Sequence, residues 1–409
     1  MQGKIDRTYW VIYLLLIAFS VLSLFTSSSS LIHKATAAGL DPLQPILKQI
    51  MLLGVGVLFA YGIQYMPSWS YRALGYLLFA IGLLFLAINA THHGVQYNGA
   101  YRWIRVGSFT IQSSELAKIG LIIVVSDLLT RIRDRETEKR YYIAVLCLTL
   151  LTCGLIMIYN LSTAILLFTV VLLLMFLGKI NWRWLAGLVA AIIVFLILGY
   201  TIVEFGYVRK DKKLTGPFAR ASVWVTRMDQ KMAGMGKDDD AVKIDDSNLQ
   251  VTLANVAVAR GGQHIWGVGP GNSLERNRLP LAYMDYIFAI IVEETGLLGP
   301  LFLIFLYLSL LFRACYTSSR YDDYKAQLMV MGLGLMITLQ ALVSMLVAVD
   351  MGPVTGQPLP LITKGGTSAI ITSIYFGVLM GVSREQEMLR QRERQVREES
   401  ESNIPEIEL

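Results

Sequence analysis

The residues best suited to catalysis or binding lie between positions 250 and 299, where a glycine-containing basic loop leads into a long apolar stretch. Asp285 stands at the junction, and Glu293 and Glu294 follow within the apolar stretch. A charged side chain at membrane depth costs roughly 2.5–3.5 kcal/mol on insertion scales, so it indicates function by default. Asp285 fits either a reacting carboxylate or a helix-start carboxylate that the helix dipole stabilises by about 0.3–1 kcal/mol. Adjacent glutamates point in different directions on a helix, so one of these two is expected to be structural.

A second group of polar residues opens another apolar stretch. Glu115 and Lys118 are three residues apart, so they share one face of a helix and can pair. Ser113 or Ser114 is expected to cap the start of that helix. The pair fits two roles: a local ion pair that fixes the helix start, or the lining of a polar cavity that holds a catalytic carboxylate or a phosphate.

A third group is the segment 351–368, which contains three prolines and four glycines and cannot form a continuous helix. Such backbone is tolerated at membrane depth only where protein buries it or a wet cavity adjoins it. If Lys364 and the following Gly-Gly-Thr-Ser open a helix, they offer one cation and backbone N–H groups to an anion. The alternative is a simple turn between two helices. The polar break at 159–163 is interpreted as a tight external turn.

The elements that must position these groups are membrane-spanning helices. The chain has 409 residues, of which 55% are hydrophobic and 16% charged, whereas soluble proteins average about 25% charged residues. Long apolar runs are typical of transmembrane helices, and ten can be placed, at 10–25, 47–65, 71–88, 116–130, 142–159, 163–177, 184–205, 286–312, 328–349 and 368–382. The sequence therefore predicts an all-α polytopic membrane protein with about ten transmembrane helices.

Several other classes of protein are disfavoured. The three cysteines and four histidines form no disulfide or metal-ligand pattern. There is no phosphate-binding loop, no dinucleotide fingerprint and no soluble domain of useful size. No removable signal peptide is expected at the amino terminus, because the charged start leads directly into a full-length apolar run. The net charge of +6 is small and must be judged by position, and no nucleic-acid partner is expected.

The positions of the basic residues predict the orientation in the membrane. If the spans alternate, the loops after the fourth, sixth and eighth runs and the tail all fall on one side, and these segments carry most of the clustered arginine and lysine. By the positive-inside rule that side is cytoplasmic, together with both termini. The predicted organisation is a ten-span membrane domain over 1–385 and a charged cytoplasmic tail over 386–409.

The loop 206–284, between the seventh and eighth spans, is then a large extracytoplasmic loop. Loops of this length translocate regardless of charge and are usually functional or disordered. Its Gly-, Lys- and Asp-rich part, 234–247, is interpreted as a mobile insertion. The apolar pattern over 249–259 predicts a short helix on the membrane surface.

These motifs together resemble the SEDS family (shape, elongation, division and sporulation), typified by FtsW and RodA. The resemblance covers roughly residues 10–385, and its motifs occur in order. Residues 99–118 (GAYRWIRVGSFTIQSSELAK) are similar to the family pattern Gly-Ala-x-Arg-Trp-Ile followed by Gln-Pro-Ser-Glu-Phe-Ala-Lys. Residues 259–273 and 284–299 resemble its extracellular loop and following helix, and 352–368 resembles its Pro-Gly-rich re-entrant segment.

The resemblance implies a peptidoglycan glycosyltransferase of the bacterial cytoplasmic (inner) membrane. Such a protein polymerises lipid II, the undecaprenyl-pyrophosphate-linked disaccharide pentapeptide, at the outer face of that membrane. It works with a class B penicillin-binding transpeptidase and with other division or elongation proteins, and the division type, FtsW, is favoured here. By the same resemblance Asp285 is the essential carboxylate, Glu115 and Lys118 are the charged pair of the fourth helix, and the candidate pyrophosphate or sugar contacts are Arg102, Arg220, Lys364 and Thr367.

The chain departs from the family pattern in three places. Tyr-Asn-Leu-Ser-Thr at 159–163 stands where Pro-Asp-Leu-Gly-Thr is frequent, so Asn160 cannot serve as an acid or base. Ser113 replaces a usual proline. Thr363 and Lys364 stand where Ser-Tyr is common, so the role of Lys364 is an inference from its own chemistry.

The implied reaction agrees with the residues present. The donor leaves as undecaprenyl pyrophosphate, which is a good leaving group, while the acceptor hydroxyl needs a base. One carboxylate, Asp285, is therefore sufficient, with arginine, lysine or a divalent cation offsetting the pyrophosphate charge. No other cofactor is expected, and a metal requirement is left open.

Two other classes of function use the same features. A flippase or transporter for lipid II would occupy the same cavity, and Glu293, Glu294 and Asp127 would suit proton coupling. A scaffold for division proteins would use the charged tail as its contact. The discriminating observation is whether the external carboxylate alone is needed or the buried carboxylates as well.

Overall fold

The computed structural model describes residues 6–27, 36, 39, 41, 43–97, 100–107, 109–132, 134–206, 249–279, 286–352 and 356–402. Helices occur at all ten predicted apolar runs. Numbered in chain order, the helices and strands are α1 Arg7–Ser27, α2 Gln44–Ile63, α3 Ser68–Ala90, β1 Val95–Tyr97, β2 Ala100–Val106, β3 Phe109–Gln112, α4 Ser113–Leu129, α5 Arg135–Met157, α6 Leu161–Leu177, α7 Trp182–Gly206, α8 Leu249–Gly262, α9 Glu275–Arg278, α10 Ile287–Thr295, α11 Leu298–Ser318, α12 Tyr324–Ala348 and α13 Thr367–Ser402.

Eight of the described helices are long and apolar enough to cross a membrane, namely α1, α2, α3, α5, α7, α11, α12 and α13. Helix α6 is apolar but shorter, and α4 carries three charged residues, Glu115, Lys118 and Asp127. Large apolar side chains such as Leu58, Ile202 and Phe305 face outward. An outer surface of this kind suits lipid, because a soluble monomer rarely exposes so large an apolar area.

Capping side chains explain where several helices begin. Thr137 donates its backbone N–H to Asp134 Oδ1 (2.8 Å) at the start of α5, and Lys325 donates likewise to Asp323 (3.0 Å) before α12. The prediction that Ser113 or Ser114 caps α4 was wrong. Strand β3 runs directly into α4, so the extended Gln112 precedes the helix and both serines lie in its first turn.

Contacts between helices agree with spans that alternate in direction. Helices α3 and α4 run antiparallel, because Gly82 lies against Ala117 and Gly75 against Ile123. Helix α1 is antiparallel to α13, since Tyr13 donates to Ser373 (2.7 Å) while Ser20 donates to the Leu361 carbonyl (2.7 Å). One end of the bundle, called here the sheet end, carries the antiparallel sheet β1–β2–β3; the opposite end carries the arginine-rich connection between α4 and α5.

The sheet was not predicted. Residues 95–112 form two antiparallel strand pairs, with Trp103 opposite Gln112 in the second pair. Its residues alternate between aromatic or β-branched and polar types, a pattern that favours a strand but is short beside the long apolar runs. The sheet positions the start of α4 and so the residues that follow it.

The eighth apolar run is two helices rather than one. Gly296 adopts φ 61° and separates α10 from α11. The loop after α8 packs into this break, since Leu297 N–H donates to the Ile265 carbonyl (3.2 Å). A Cβ at Gly296 would lie 2.2 Å from the His264 carbonyl oxygen, so only glycine allows this approach.

The outcomes of three other predicted features differ. The helix predicted over 249–259 is confirmed as α8, and it packs on α10, where Gly261 approaches the Val292 carbonyl. Helix α13 runs without a break from Thr367 to Ser402, so a domain boundary at 385 stays a prediction. The insertion 234–247 lies outside the described residues.

Helix α4 is the centre of the bundle, because every residue from Ser113 to Asp127 is buried. Its backbone lies directly against α3, and a Cβ added at Gly120 would meet the Phe79 backbone N at 2.3 Å. We expect Gly120→Ala to lower the free energy of unfolding by about 1–3 kcal/mol, the usual cost of overpacking. The measurement is the melting temperature of the purified protein in detergent.

Gly154→Ala in α5 is the matched control, since a Cβ there meets no atom of the described residues within 4 Å. It should leave the melting temperature unchanged or slightly raised, because alanine favours a helix over glycine. Equal melting temperatures for the two variants would contradict the close packing of α3 on α4.

Candidate functional site

The predicted pair Glu115 and Lys118 is confirmed as a buried ion pair near the sheet end. The Lys118 ammonium donates to Glu115 Oε1 (2.6 Å) and to Gln340 Oε1 on α12 (2.6 Å), and the two charged side chains are 4% and 1% exposed. Gln340 in turn donates through Nε2 to the Pro358 carbonyl (3.1 Å). The pair therefore does more than fix a helix start, because it links α4 through α12 to the Pro-Gly segment.

That segment, 356–366, has no regular structure and is held by side chains of three helices. Ser344 on α12 donates to the Gln357 carbonyl (3.0 Å), and Tyr307 on α11 donates to the Pro360 carbonyl (2.5 Å). Ser20 on α1 donates to the next carbonyl, that of Leu361. Buried irregular backbone must find hydrogen-bond partners inside the protein. These donors explain how it is tolerated here.

Lys364 and Thr367 follow at the end of this segment. Thr367 opens α13 and donates through Oγ1 to the Thr110 carbonyl of β3 (2.6 Å), so its hydroxyl joins the helix to the sheet. Burial, together with the ammonium of Lys48, lowers the pKa of Lys364 to about 8. The side chain is thus a half-buried cation at pH 7 and loses its charge as the pH rises through 8.

Arg102 on β2 lines a small cavity of mixed polar and apolar character. Its Nε and Nη2 both donate to the Tyr159 carbonyl, at 3.2 Å and 2.9 Å, and Asn89, Ser114 and Asn160 share the lining. Asn160 also accepts from Thr163 N–H (3.2 Å) and caps α6, which confirms the break at 159–163 as a turn. Arg102 therefore stabilises this turn, and its contact with a substrate stays a prediction.

Asp285 and Arg220 lie outside the described residues, and their roles stay predictions. The residues that flank the Asp285 segment are well packed. Leu279 and Tyr286 are each 2% exposed, and α10 begins directly after Tyr286. Packing therefore holds the residues on both sides of 280–285 in place.

Glu293 fixes the loop that precedes this segment. Its carboxylate is fully buried and accepts from Ser273 Oγ, Leu274 N–H (3.2 Å) and Arg260 Nη1 (3.4 Å). The backbone carbonyl of Glu293 also accepts from Val268 N–H (2.9 Å). The prediction that one of the two adjacent glutamates is structural is confirmed for Glu293.

Gln340 was missed from the sequence. A polar amide in the middle of an apolar run is costly in a membrane and should be treated as a candidate contact. Ser273 was also missed, because a serine in a glycine-rich loop carries no distinctive signal.

Among the described residues no three His, Cys, Asp or Glu side chains cluster so as to hold a metal ion. A divalent cation at Asp285 stays a prediction.

The fold and the site define a class: a polytopic helical membrane protein whose polar and glycine-rich segments meet at one end of the bundle. Residues 6–388 match the family model for FtsW, RodA and SpoVE, described as cell cycle protein. The chain therefore belongs to this family, and it is a multi-pass protein of the bacterial inner membrane.

Relatives are similar over nearly their whole length. The chain is 27% identical over 400 residues to a probable peptidoglycan glycosyltransferase FtsW of Nitrosomonas europaea, with 95% of each chain covered. It is 30% identical over 380 residues to a protein of the same name from Hahella chejuensis, covering 90% of this chain and 88% of the relative. A chain of a peptidoglycan synthase complex, solved to show how polymerization and crosslinking are coordinated, superposes with a TM-score of 0.70 at 25% identity, covering 94% of this chain and 98% of that one.

We expect Lys118→Met to destabilise the protein by about 3–5 kcal/mol, because Glu115 would keep a buried charge without its partner. Replacing both, as Glu115→Gln with Lys118→Met, should recover part of that loss. The measurement is the free energy of unfolding in detergent. Lys139→Met is the matched control, since Lys139 is an exposed lysine of α5, and it should change little. A Lys118 variant as stable as this control would contradict the structural role of the pair.

Proposed function

We propose that this protein is a peptidoglycan glycosyltransferase that polymerises lipid II into glycan strands at the outer face of the cytoplasmic membrane. The observation that carries the proposal is the buried Glu115–Lys118–Gln340 chain. It holds the Pro-Gly segment and Lys364 at the sheet end, next to the sheet that carries Arg102. The names of the relatives, probable peptidoglycan glycosyltransferase FtsW, support this activity and favour the division type.

The proposed chemistry needs one base and several cations. Asp285 accepts the proton of the acceptor hydroxyl as that oxygen attacks the anomeric carbon of the donor, and the lipid diphosphate leaves with the bonding electrons. Arg102, Arg220, Lys364 and Thr367 are the candidate contacts of the diphosphate or the sugars. Positioned donors of this kind act mainly by offsetting the charge that develops on the leaving group.

Contacts of Asp127 and Glu293, two of the three carboxylates that would suit proton coupling, favour a transferase over a transporter. A proton-coupled transporter needs carboxylates that gain and lose protons in turn. Asp127 instead lies 2.7 Å from Arg131 and 3.3 Å from Arg72, and accepts from Tyr76 OH (3.1 Å). Glu293 accepts from two donors besides Arg260. Carboxylates that make several ion pairs and hydrogen bonds within the protein suit the role of structural anchors.

We also propose a partner that crosslinks what this protein polymerises, a class B penicillin-binding transpeptidase. The support is the superposition on a chain from a peptidoglycan synthase complex. Polymerisation leaves linear strands, so a transpeptidase acting at the same face of the membrane is the reaction that must follow. Other division or elongation proteins would join the same assembly.

Asp285→Asn should abolish or sharply reduce glycan-strand formation from lipid II, because removing a general base typically costs about 10²–10⁴-fold in rate. The measurement is polymer formation by purified protein with and without the transpeptidase. Asp322→Asn is the matched control, since Asp322 is an exposed carboxylate between α11 and α12, and it should polymerise like the wild type.

The proposal is supported if the wild type and the control both form polymer and a stably folded Asp285→Asn variant forms none. Absence of polymer from the wild type, even with a competent partner, would contradict it. Lipid translocation in vesicles, with Glu293 and Glu294 substituted, would then test the flippase.

A further inference from the structure

A buried carboxylate at the end opposite the sheet is surrounded by three cations. Asp127, near the end of α4, is 4% exposed. Arg131 Nη2 lies 2.7 Å from its Oδ2, while Arg72 Nε and Lys325 Nζ lie 3.3 Å and 4.0 Å from its Oδ1. Arg72 belongs to α3, Lys325 to α12 and Arg131 to the turn that follows α4. These four residues, called here the Asp127 cluster, therefore join three helices.

The Asp127 cluster carries more positive charge than its own carboxylate neutralises. Three cations around one carboxylate leave an excess of two positive charges. The other ion pairs among the described residues match one carboxylate with one cation, as Asp6 with Arg313. Asp323, the nearest carboxylate to Lys325 in the sequence, accepts from the backbone N–H of that lysine and forms no ion pair within the described part of the chain.

The cations of the cluster are accessible to a ligand although Asp127 is not. The side chains of Arg72, Arg131 and Lys325 are 49%, 38% and 20% exposed. The 4.0 Å between Lys325 Nζ and Asp127 Oδ1 is too long for a hydrogen bond. Each guanidinium has five N–H donors, of which one carboxylate can occupy only a few. The cluster can thus donate to a second anion and keep its contacts with Asp127.

The cluster lies at the depth of lipid headgroups. Arg72 and Lys325 fall within the first two turns of α3 and α12, both of which are long and apolar enough to span a membrane. Trp69, Arg72 and Tyr76 follow one another at helical spacing on α3, and all three side chains are exposed. Tryptophan and tyrosine are enriched at membrane–water interfaces. This face of α3 is therefore directed towards lipid, with Arg72 in its middle.

We propose that the Asp127 cluster binds the headgroup of an anionic phospholipid in the cytoplasmic leaflet. The positive-inside rule assigns this end of the bundle to the cytoplasm, and basic pockets between membrane-spanning helices on that side bind phosphate-containing headgroups. The negative charge of such a headgroup complements the excess of cations. Its acyl chains can lie along the outward face of α3, where Tyr76 and Leu77 are exposed. The site is at the opposite end from the sheet and does not depend on the proposed function.

The test is binding of phosphatidylglycerol and of phosphatidylcholine to the purified full-length protein in detergent, measured by native mass spectrometry. Both lipids contain a phosphate, but only phosphatidylglycerol has a net negative charge. We expect the wild type to prefer phosphatidylglycerol by about tenfold to thirtyfold. Arg72→Gln and Lys325→Gln should each weaken its binding by about fivefold, the usual contribution of one cation near an anionic membrane surface. Binding of phosphatidylcholine should not change.

The double variant Arg72→Gln with Lys325→Gln separates lipid binding from a role in folding. It leaves Asp127 paired with Arg131 alone, like the one-to-one pairs elsewhere in the described part of the chain. It should melt close to the wild-type temperature in detergent without added lipid. It should also bind phosphatidylglycerol no more tightly than phosphatidylcholine. Arg72→Lys, which retains the charge, should bind phosphatidylglycerol within about twofold of the wild type.

Arg183→Gln is the matched control. Arg183 is an exposed cation in the first turn of α7, at the same end of the bundle, because the preceding helix α6 ends where Tyr324 OH donates to the Leu177 carbonyl (2.6 Å). The variant removes one positive charge from this end and leaves the cluster intact. It should bind phosphatidylglycerol like the wild type.

Four outcomes would overturn the proposal. A folded double variant that keeps the wild-type preference would show that the cluster is not the site. Equal weakening by Arg183→Gln and Arg72→Gln would assign the preference to the general charge of this end. Displacement of phosphatidylglycerol by glycerol phosphate at a similar concentration would indicate a soluble ligand. A wild type that binds both lipids equally would leave the excess cations to a partner other than lipid.

Discussion

The buried ammonium of Lys118 is the constraint on which much of the structure depends. It lies in the most enclosed helix of the bundle, where Glu115 of the same helix neutralises its charge and Gln340 of α12 accepts a second hydrogen bond from it. Each partner must be held in place, because an uncompensated charge in this interior would cost several kcal/mol. The second hydrogen bond of Gln340, to Pro358, extends the constraint to the irregular segment that precedes α13.

A second constraint is the close approach of backbones around the break between α10 and α11. Gly267 and Gly296 both adopt positive φ, and their backbones are so close that neither position has room for a side chain. The loop after α8 is thereby held against the end of α10. The Glu293 carboxylate also accepts a hydrogen bond from Leu274 N–H of this loop. The chain that leads to Asp285 consequently starts from a rigid base, although the loop is external to the apolar helices.

Charges are distributed differently at the two ends of the bundle. At the end opposite the sheet, carboxylates are matched by cations: Asp127 by Arg131 and Arg72, and Asp6 by Arg313 at 2.8 Å. The Asp6–Arg313 pair joins residues 307 positions apart in the sequence. At the sheet end the buried charges are Glu115 and Lys118, which pair within one helix.

The sequence by itself determined the class of the protein, the helices and the residues worth testing. Long apolar runs leave no alternative to helices in a membrane, since every backbone group must be satisfied within its own segment. A spacing of three residues was enough to pair Glu115 with Lys118. These properties depend on residues close together in the sequence, so one sequence is enough to predict them.

Only the tertiary structure decided which residues meet across the fold. Gln340 reaches Lys118 from 222 positions away, and the loop after α8 packs into the break at Gly296. The sheet at 95–112 was not predicted, and with it the expected serine cap of α4 was lost. Such contacts depend on how closely two backbones approach, and that distance is set by the packing of all the helices together.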